Sequence, residues 1–286
     1  MTASHNPASR QVAEAGRTVR HAANSPWVAI YAHIGYAAKG IVYLIIGGLA
    51  AVTALGSGGA LTDQSGAAQA IYHQPFGAFL LIVAAIGWLG YALWSEIEAA
   101  LDTENKGKDA KGIITRIAYA VIGLIYAGLA IAAIGLASGR SSGGQSSNTQ
   151  AQDWTARLLS YPLGVGLVVI VGLVVLGIAA ALYYRAYSAE FRQQLRPAPG
   201  EIGNAIVTLG RLGYAALGVV FTIIGIFLIV AAFQHNPGAA KGLGGALQTL
   251  LQQPFGHVLL LIVALGLIAY GLYSLAEARY RRIGSA

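Results

Sequence analysis

Residues 33–47 read H-I-G-Y-A-A-K-G-I-V-Y-L-I-I-G, and the architecture of the chain can be worked out from this segment. Its aromatic and small residues recur every three or four positions, at Tyr36, Gly40, Tyr43 and Gly47. On a helix this spacing places them on one face, one above the other. The stretch therefore predicts a helix with one face suited to close packing against another helix.

The same face occurs twice more in the chain, and each further copy begins at a basic residue, Arg116 or Arg211. Residues 33–47 and 211–225 are identical at 9 of 15 positions, and residues 75–95 and 254–274 at 10 of 21. The chain is thus built from repeats longer than one helix. We call their aromatic and glycine positions the packing stripe: Tyr36, Gly40, Tyr43, Gly47, Tyr119, Gly123, Tyr126, Tyr214, Gly218, Phe221 and Gly225.

The composition is that of a membrane protein. Only 10% of residues are charged, against about 25% in a soluble domain, and the apolar residues form long runs typical of membrane spans. A net charge of +7 would favour nucleic-acid binding in a soluble protein. Here the basic residues lie in short loops beside the apolar runs, which favours contact with lipid headgroups and argues against nucleic acid.

Six apolar runs predict six transmembrane helices. We place them at residues 34–55, 76–95, 117–137, 163–183, 212–233 and 255–276. Short amphipathic segments at 67–73, 153–159 and 244–251 predict surface helices between the members of each pair, and Pro75, Pro162 and Pro254 are placed at the starts of the even spans.

We therefore predict an all-α membrane protein of three helical-hairpin repeats. Because each repeat contains an even number of spans, the copies are parallel, which favours a pseudo-threefold arrangement. The predicted units are a polar tail over residues 1–26 and repeats over residues 27–103, 112–193 and 205–283.

Lysine and arginine predict the orientation. The N-terminal tail with the start of the first span, the even-to-odd loops and the C-terminal tail hold 15 of the 18, and the three odd-to-even loops hold Arg140, Arg157 and Lys241. Positive charge is enriched on the cytoplasmic side. We expect a multi-pass protein of the bacterial inner membrane with both termini in the cytoplasm, beside anionic headgroups of that face.

The repeated motifs resemble one known family. The stripe pattern Y-x3-G-x2-[YF]-x3-[GA], the P-[FL]-G start of the even spans and G-x3-Y-x2-[WY]-S-x2-E near their ends are similar to the bacterial membrane family catalogued as domain of unknown function 1206. The resemblance covers about residues 33–283 and implies three tandem two-helix copies and no activity. Repeat two departs from the pattern, because Ile178 and Arg185 stand where the other repeats have tyrosine and glutamate.

Five charged positions are candidates for a function or for ion pairs. Lys39 is the basic residue inside a predicted span; snorkelling to the interface is the favoured interpretation, and a charge lining a vestibule is the alternative. Glu98, Arg185 and Glu277 occupy equivalent places at the ends of the even spans, and Arg211 begins an odd span at the same level. We expect a ring of ion pairs, with Arg211 near Glu277 and Arg185 beside Glu98 or Glu277; a cytoplasmic gate is the alternative.

No cofactor or catalytic residue is predicted. The chain has no cysteine, which excludes thiol catalysis, and it lacks the P-loop, H-E-x-x-H and G-x-S-x-G motifs. The histidines of the outer loops, His73, His235 and His257, lack ligand-like spacing. We therefore expect a non-catalytic structural, assembly or interaction protein, partnered by a membrane protein or by itself. The alternative is a small-solute channel or transporter along the pseudo-threefold axis.

Overall fold

The structure is a computed structural model that describes residues 26–57, 61–101, 110–140, 145–196 and 200–281. Residues 1–25 of the predicted polar tail over residues 1–26 lie outside them. Within these residues the fold is all-helical, as predicted. The long helices are α1 Pro26–Ala54, α3 Gly77–Leu101, α4 Ala110–Ala137, α6 Gly164–Ser188, α7 Gly200–Phe233 and α9 Gly256–Tyr280, and the short ones are α2 Gln64–Tyr72, α5 Ser147–Leu159 and α8 Leu243–Leu251.

Each repeat is a long, a short and a long helix: α1–α3, α4–α6 and α7–α9. The long helices contain six segments that are apolar enough and long enough to cross a membrane. The shortest, Tyr119–Ala137, has 19 residues and measures about 28 Å at 1.5 Å per residue, close to a hydrocarbon core of about 30 Å. The chain is therefore a multi-pass membrane protein. The short helices confirm that the three predicted amphipathic segments are helical.

We call the end where α1, α4 and α7 begin the terminal end, and the end that carries α2, α5 and α8 the loop end. At the loop end each short helix leads into the next long helix through a tight turn. The prediction that proline begins these long helices is wrong, because they begin at Gly77, Gly164 and Gly256, two residues later. Phe76 and Phe255 turn the chain with φ of 62° and 60°.

The glycine of the P-[FL]-G motif is required by this turn. A Cβ atom on Gly77 would collide with the carbonyl oxygens of Ile71 and Tyr72 at the end of α2, and one on Gly256 with those of Leu250 and Leu251. Each even span can therefore start directly against the end of a short helix.

At the terminal end α7 is longer than predicted. It begins at Gly200 rather than at residue 212. Its first turns are held by packing, because Ile206 is buried and Gly210 lies against the ring of Phe191. Phe191 belongs to a short 3-10 helix, Glu190–Gln194, that connects α6 to this extension.

The long helices pack side by side in one continuous series. The largest interfaces join neighbouring repeats: α3 with α4, α6 with α7, and α9 with α1. Smaller interfaces join α1 with α3 and α7 with α9 within repeats one and three. Among the described residues, no comparable packing joins α4 with α6. The bundle is thus continuous around the order α4, α3, α1, α9, α7, α6, and the pseudo-threefold geometry stays a prediction.

Candidate functional site

A buried cluster of charges lies between α1 and α9, toward the terminal end. The Nζ atom of Lys39 donates to Oε2 of Glu277 at 3.2 Å, and Arg281 donates to the other carboxylate oxygen of Glu277. The side chain of Glu277 is 1% exposed and that of Lys39 13%. One carboxylate thus holds two cations inside the bundle.

Aromatic rings enclose this cluster. Lys39 Nζ lies 4.7 Å from the centroid of the Tyr36 ring and 5.1 Å from that of Tyr270, and it also donates to the Tyr270 hydroxyl at 3.4 Å. The guanidinium of Arg281 lies 4.8 Å from the Tyr36 ring. Ring faces attract cations most strongly where water is excluded. The favoured sequence interpretation placed Lys39 at the interface; the structure gives it a carboxylate and two rings instead.

The backbone approach of α1 and α9 makes this contact possible. A Cβ atom on Gly40 would lie 2.8 Å from the carbonyl oxygen of Gly271, and one on Gly47 would lie 2.9 Å from that of Ala264. Small residues let helices approach closely in lipid, where apolar burial gives little drive for association. The stripe glycines of repeat one therefore determine the separation across which Lys39 meets Glu277.

The stripe glycines of the other repeats have equivalent neighbours. Gly123 of α4 faces Ala92 and Glu96 of α3, and Gly218 of α7 faces the ring of Tyr183 of α6. Leu275, Glu96 and Tyr183 are equivalent positions, and each lies over one stripe glycine. Every odd helix thus presents its stripe to the even helix of the preceding repeat, with repeat one facing repeat three.

At two of the three interfaces between repeats, a stripe tyrosine of the odd helix packs on a tyrosine of the preceding even helix. Tyr43 packs edge-on against Tyr270 with ring centroids 4.9 Å apart, and Tyr126 packs on the equivalent Tyr91 at 4.7 Å. At the third interface the equivalent positions are Phe221 and Ile178, so the second ring is lost. The remaining members also contact rings: Tyr119 packs on Trp94, and Tyr214 packs on Phe191, Tyr270 and Tyr273. Gly225 faces Leu176 and Gly172.

Basic residues at the starts of the odd helices bind the ends of the preceding even helices. Arg116 donates to the carbonyl oxygens of Ala99 and Ala100 at 2.8 and 2.9 Å, and Arg211 donates to that of Tyr187 at 3.2 Å. The last carbonyls of a helix lack intrahelical donors and carry partial negative charge. Arg211 therefore has a partner in repeat two, not the predicted Glu277 of its own repeat.

The ends of the even helices differ between repeats. Glu98 and Glu277 are fully buried, as are Ser95 and Ser274 three residues earlier in each. Arg185, at the equivalent place in repeat two, is exposed, and its guanidinium lies 5.9 Å from the Tyr214 ring. Both oxygens of Glu277 are bound by Lys39 and Arg281. The structure thus brings Lys39 and Glu277 together and places Arg185 beside a tyrosine.

Repeat two exposes a face that the other repeats bury. Val42 of α1 is 3% exposed and Val220 of α7 is fully buried, whereas their equivalent in α4, Ile125, is 56% exposed. Along α6, Val174 and Ile178 are exposed where Gly87, Gly266 and Tyr270 are buried. We call the gap between α4 and α6 the repeat-two cleft and define it by Val121, Ile125, Val174, Ile178 and Arg185.

At the loop end the N-termini of the short helices meet. Asp63 accepts hydrogen bonds from the backbone of Ser65 and Gly66 in α2 and of Ser147 in α5. Asn148 of α5 in turn accepts from the backbone of Gly242 and Gly245 at the start of α8. Beside them lies a cavity of about 370 Å³ whose lining includes Thr62, Asp63, Gln69, Asn148, Gly244 and Gln248. The side chains of one repeat therefore cap the helix of the next.

The outer histidines do not assemble into a metal centre among the described residues, where no group of three or more His, Asp or Glu side chains could hold an ion. The Nδ1 atom of His257 lies 3.0 Å from the carbonyl oxygen of Ala54. This contact joins the start of α9 to the end of α1.

Sequence reasoning identified Lys39 and Glu277 separately but not as partners. It placed Tyr270 in the repeated motif of the even spans and did not single out Arg281. The two ends of the Lys39–Glu277 contact are 238 residues apart, so local spacing holds no information about it. The stripe glycines were a usable signal, because Gly40 and Gly47 indicated that this face of α1 packs closely against another helix, although they did not indicate which one.

The fold and this site define a class: multi-pass membrane proteins built from three tandem two-helix repeats. The family model described as Domain of Unknown Function (DUF1206) matches residues 34–102, 117–189 and 212–281, and the chain belongs to this family. It is 34% identical over 260 residues to "Uncharacterized protein YxxB" of Bacillus subtilis (strain 168), covering 90% of this chain and 93% of that protein. No solved structure matches the chain.

Proposed function

We propose that this protein is a non-catalytic structural, assembly or interaction protein of the bacterial inner membrane, partnered by another membrane protein or by a second copy. The observation that carries the proposal is where the repeated residues lie. The stripe glycines face neighbouring backbones or side chains, and the stripe tyrosines pack on other rings. The residues that recur in the repeats are thus used to hold the bundle together.

The distribution of charge supports a cytoplasmic terminal end. Lys39, Arg116, Arg185, Arg211, Arg279 and Arg281 lie toward this end, and Arg140, Arg157 and Lys241 belong to the loop end. Such an excess of positive charge is expected on the cytoplasmic side, beside anionic headgroups. A reporter fused after Gly144 should read extracytoplasmic, and a cytoplasmic signal would reverse the proposed orientation.

The interaction role is tested by purification from the native membrane in a mild detergent. We expect a partner in fixed stoichiometry, or a defined oligomer of the chain, together with proteoliposomes that show no flux of small solutes above that of empty vesicles. A monomeric chain that conducts a solute would contradict the proposal.

A channel or transporter along the predicted pseudo-threefold axis is the second candidate. The cavity of about 370 Å³ at the loop end favours it, because the cavity has polar lining and lies where the three repeats meet. The path would continue past the stripe aromatics Tyr36, Tyr43, Tyr119, Tyr126, Tyr214 and Phe221. These rings are mutually packed in part, which is why we place this function second.

Gly244→Trp is the test for this candidate, because Gly244 lines the cavity and an added Cβ atom meets nothing closer than 3.9 Å. If solute flux through the wild-type protein is measurable, the variant should abolish it while the protein still folds. Gly166→Trp is the control, since Gly166 of α6 has no atom within 4 Å of its Cβ position and is not among the lining residues.

A further inference from the structure

The repeat-two cleft combines an apolar wall with a single cation. Its four apolar members come from both helices: Val121 and Ile125 of α4 are 49% and 56% exposed, and Val174 and Ile178 of α6 are 58% and 42% exposed. Among the equivalent positions in repeats one and three, Val42, Val220, Gly87 and Gly266 are buried, and the two glycines face their hairpin partners. The cleft is therefore the place where a second helix would lie if repeat two were packed like its neighbours.

Arg185 lies at the terminal end of this wall. Val174, Ile178 and Arg185 are spaced by four and seven residues, so they follow one face of α6. The guanidinium lies 5.9 Å from the centroid of the Tyr214 ring of α7, and the residue is exposed. The charge thus lies at the terminal end of the exposed face of α6.

The charge of Arg185 has no carboxylate partner within ion-pair distance in the described part of the chain, in contrast to Lys39 and Arg281, which share Glu277. An arginine inside a membrane span is costly unless it meets an anion or water. A guanidinium also matches phosphate geometrically, through two parallel hydrogen bonds. The site thus lacks a negative partner and suits a phosphate.

The length of the wall matches one lipid leaflet. Val174 and Arg185 are 11 residues apart, which is about 16 Å along a helix. The hydrocarbon of one leaflet is about 15 Å thick, half of a core of about 30 Å. A headgroup at Arg185 would therefore allow an acyl chain to cover the wall as far as Val174.

We propose that the repeat-two cleft binds one anionic phospholipid, whose phosphate pairs with Arg185 and whose acyl chain lies between α4 and α6. The lipid replaces the helix contact that repeats one and three make within themselves. The proposal goes beyond the proposed function and is independent of it, because a lipid in this cleft is compatible with an interaction protein and with a channel.

Native mass spectrometry of the full chain, released from nanodiscs of known composition, tests the proposal. With phosphatidylglycerol we expect one tightly bound lipid per chain, and with phosphatidylethanolamine none. Arg185→Gln should weaken the binding of phosphatidylglycerol about tenfold or more, as expected for the loss of a charge-assisted pair. Arg279→Gln removes an exposed positive charge near the same end and should change this affinity less than about twofold, because surface charges are screened.

A second variant separates the lipid site from folding. Ile125→Trp fills the apolar wall and keeps Arg185, so it should expel the lipid without lowering the unfolding temperature measured in lipid-free detergent, where no bound lipid contributes. Glycerol 3-phosphate, which has the headgroup charge and no acyl chain, should not compete at millimolar concentration. Equal lipid binding by wild type and Arg185→Gln, or equal binding of both lipids, would overturn the proposal. A dimer that Ile125→Trp dissociates would overturn it in favour of a second copy.

Discussion

The interface between α9 and α1 and the cleft between α4 and α6 are the two extremes of one bundle. At the first, Gly40 and Gly271 bring two backbones together and Glu277 binds two cations beneath tyrosine rings. At the second, valines and isoleucines are exposed and Arg185 lies beside one ring. Tyr270 and Glu277 at the first correspond to Ile178 and Arg185 at the second, so the same two positions of the repeat serve a closed charged contact in one place and line an open cleft in the other.

The difference shows which residues hold helices together in lipid. Apolar side chains are present in both regions, and they do not join α4 to α6, because lipid covers them as well as another helix does. The closed interface has glycines in register, paired rings and satisfied charges. In repeat two, Val174 replaces the glycine that faces the hairpin partner in the other repeats, Gly87 or Gly266. Packing within a hairpin of this bundle therefore depends on close approach.

The largest effect is expected from Glu277→Gln. It leaves Lys39 and Arg281 buried without their carboxylate, and breaking a buried pair in this way costs about 3–5 kcal/mol. Reversible unfolding in mixed micelles should show this loss. Glu190→Gln is the control, because Glu190 is an exposed carboxylate near the same end and its loss should lie within about 0.5 kcal/mol. Equal stability of the two variants would show that the α9–α1 contact is not held by charge.

The second prediction compares one substitution in both regions. Val42→Trp forces a large ring into a site that is 3% exposed and should destabilise the protein by about 3 kcal/mol, the upper end for overpacking. Ile125→Trp, at the equivalent position of repeat two, faces the cleft and should change stability by less than about 0.5 kcal/mol. If both variants unfolded alike, α4 and α6 would be packed together in the membrane.

A smaller effect is expected from Gly40→Ala. Its methyl group would meet the Gly271 carbonyl oxygen at 2.8 Å and should cost about 1–2 kcal/mol. Gly48→Ala lies in the same helix with no atom within 4 Å of the new carbon. It should stabilise the helix by about 0.5–1 kcal/mol, since alanine forms helices better than glycine. The measurement is the sign of the change in unfolding free energy, which should be opposite in the two variants. Two losses of similar size would mean that the stripe glycines do not control how closely α1 and α9 approach.

The smallest effect is expected from a substitution that restores a contact missing from repeat two. Ile178→Tyr recreates at the α6–α7 interface the ring pair that Tyr270 makes with Tyr43, with Phe221 as the second ring. We expect a gain of about 0.5–1 kcal/mol, the range for aromatic pairs. The double variant with Phe221→Leu should cancel the gain. A gain that survives in the double variant would come from another source than the ring pair.

The architecture was predictable from the sequence because the same sequence pattern occurs in three repeats. Hydropathy gave six spans, and the repeated short amphipathic segments gave α2, α5 and α8. The extension of α7 to Gly200 was missed because its amphipathic residues, among them Ile206, lie beyond the apolar run. The helix starts after Pro75 and Pro254 were misplaced because a phenylalanine in the left-handed conformation follows each of them, which local propensity does not favour.

The site was predictable only in part. The stripe identified the packing faces, and its drift in repeat two indicated that this repeat differs. The partners of individual charges were not predictable, since Arg211 could reach either its own hairpin or the preceding one, and the choice depends on which helices pack. Arg211 binds the backbone carbonyl oxygen of Tyr187. Because every residue has such an oxygen, this contact has no recognisable sequence pattern.

The closure of the bundle by its first and last long helices has a consequence for biosynthesis. Lys39 is made 238 residues before Glu277, which at 5–20 residues per second is roughly 10–50 s of translation. Throughout this interval α1 is in the membrane with a lysine whose carboxylate does not yet exist. The nascent chain must therefore shelter this charge, at the interface or against the insertion machinery. The bundle can close only once the ribosome has finished the last helix.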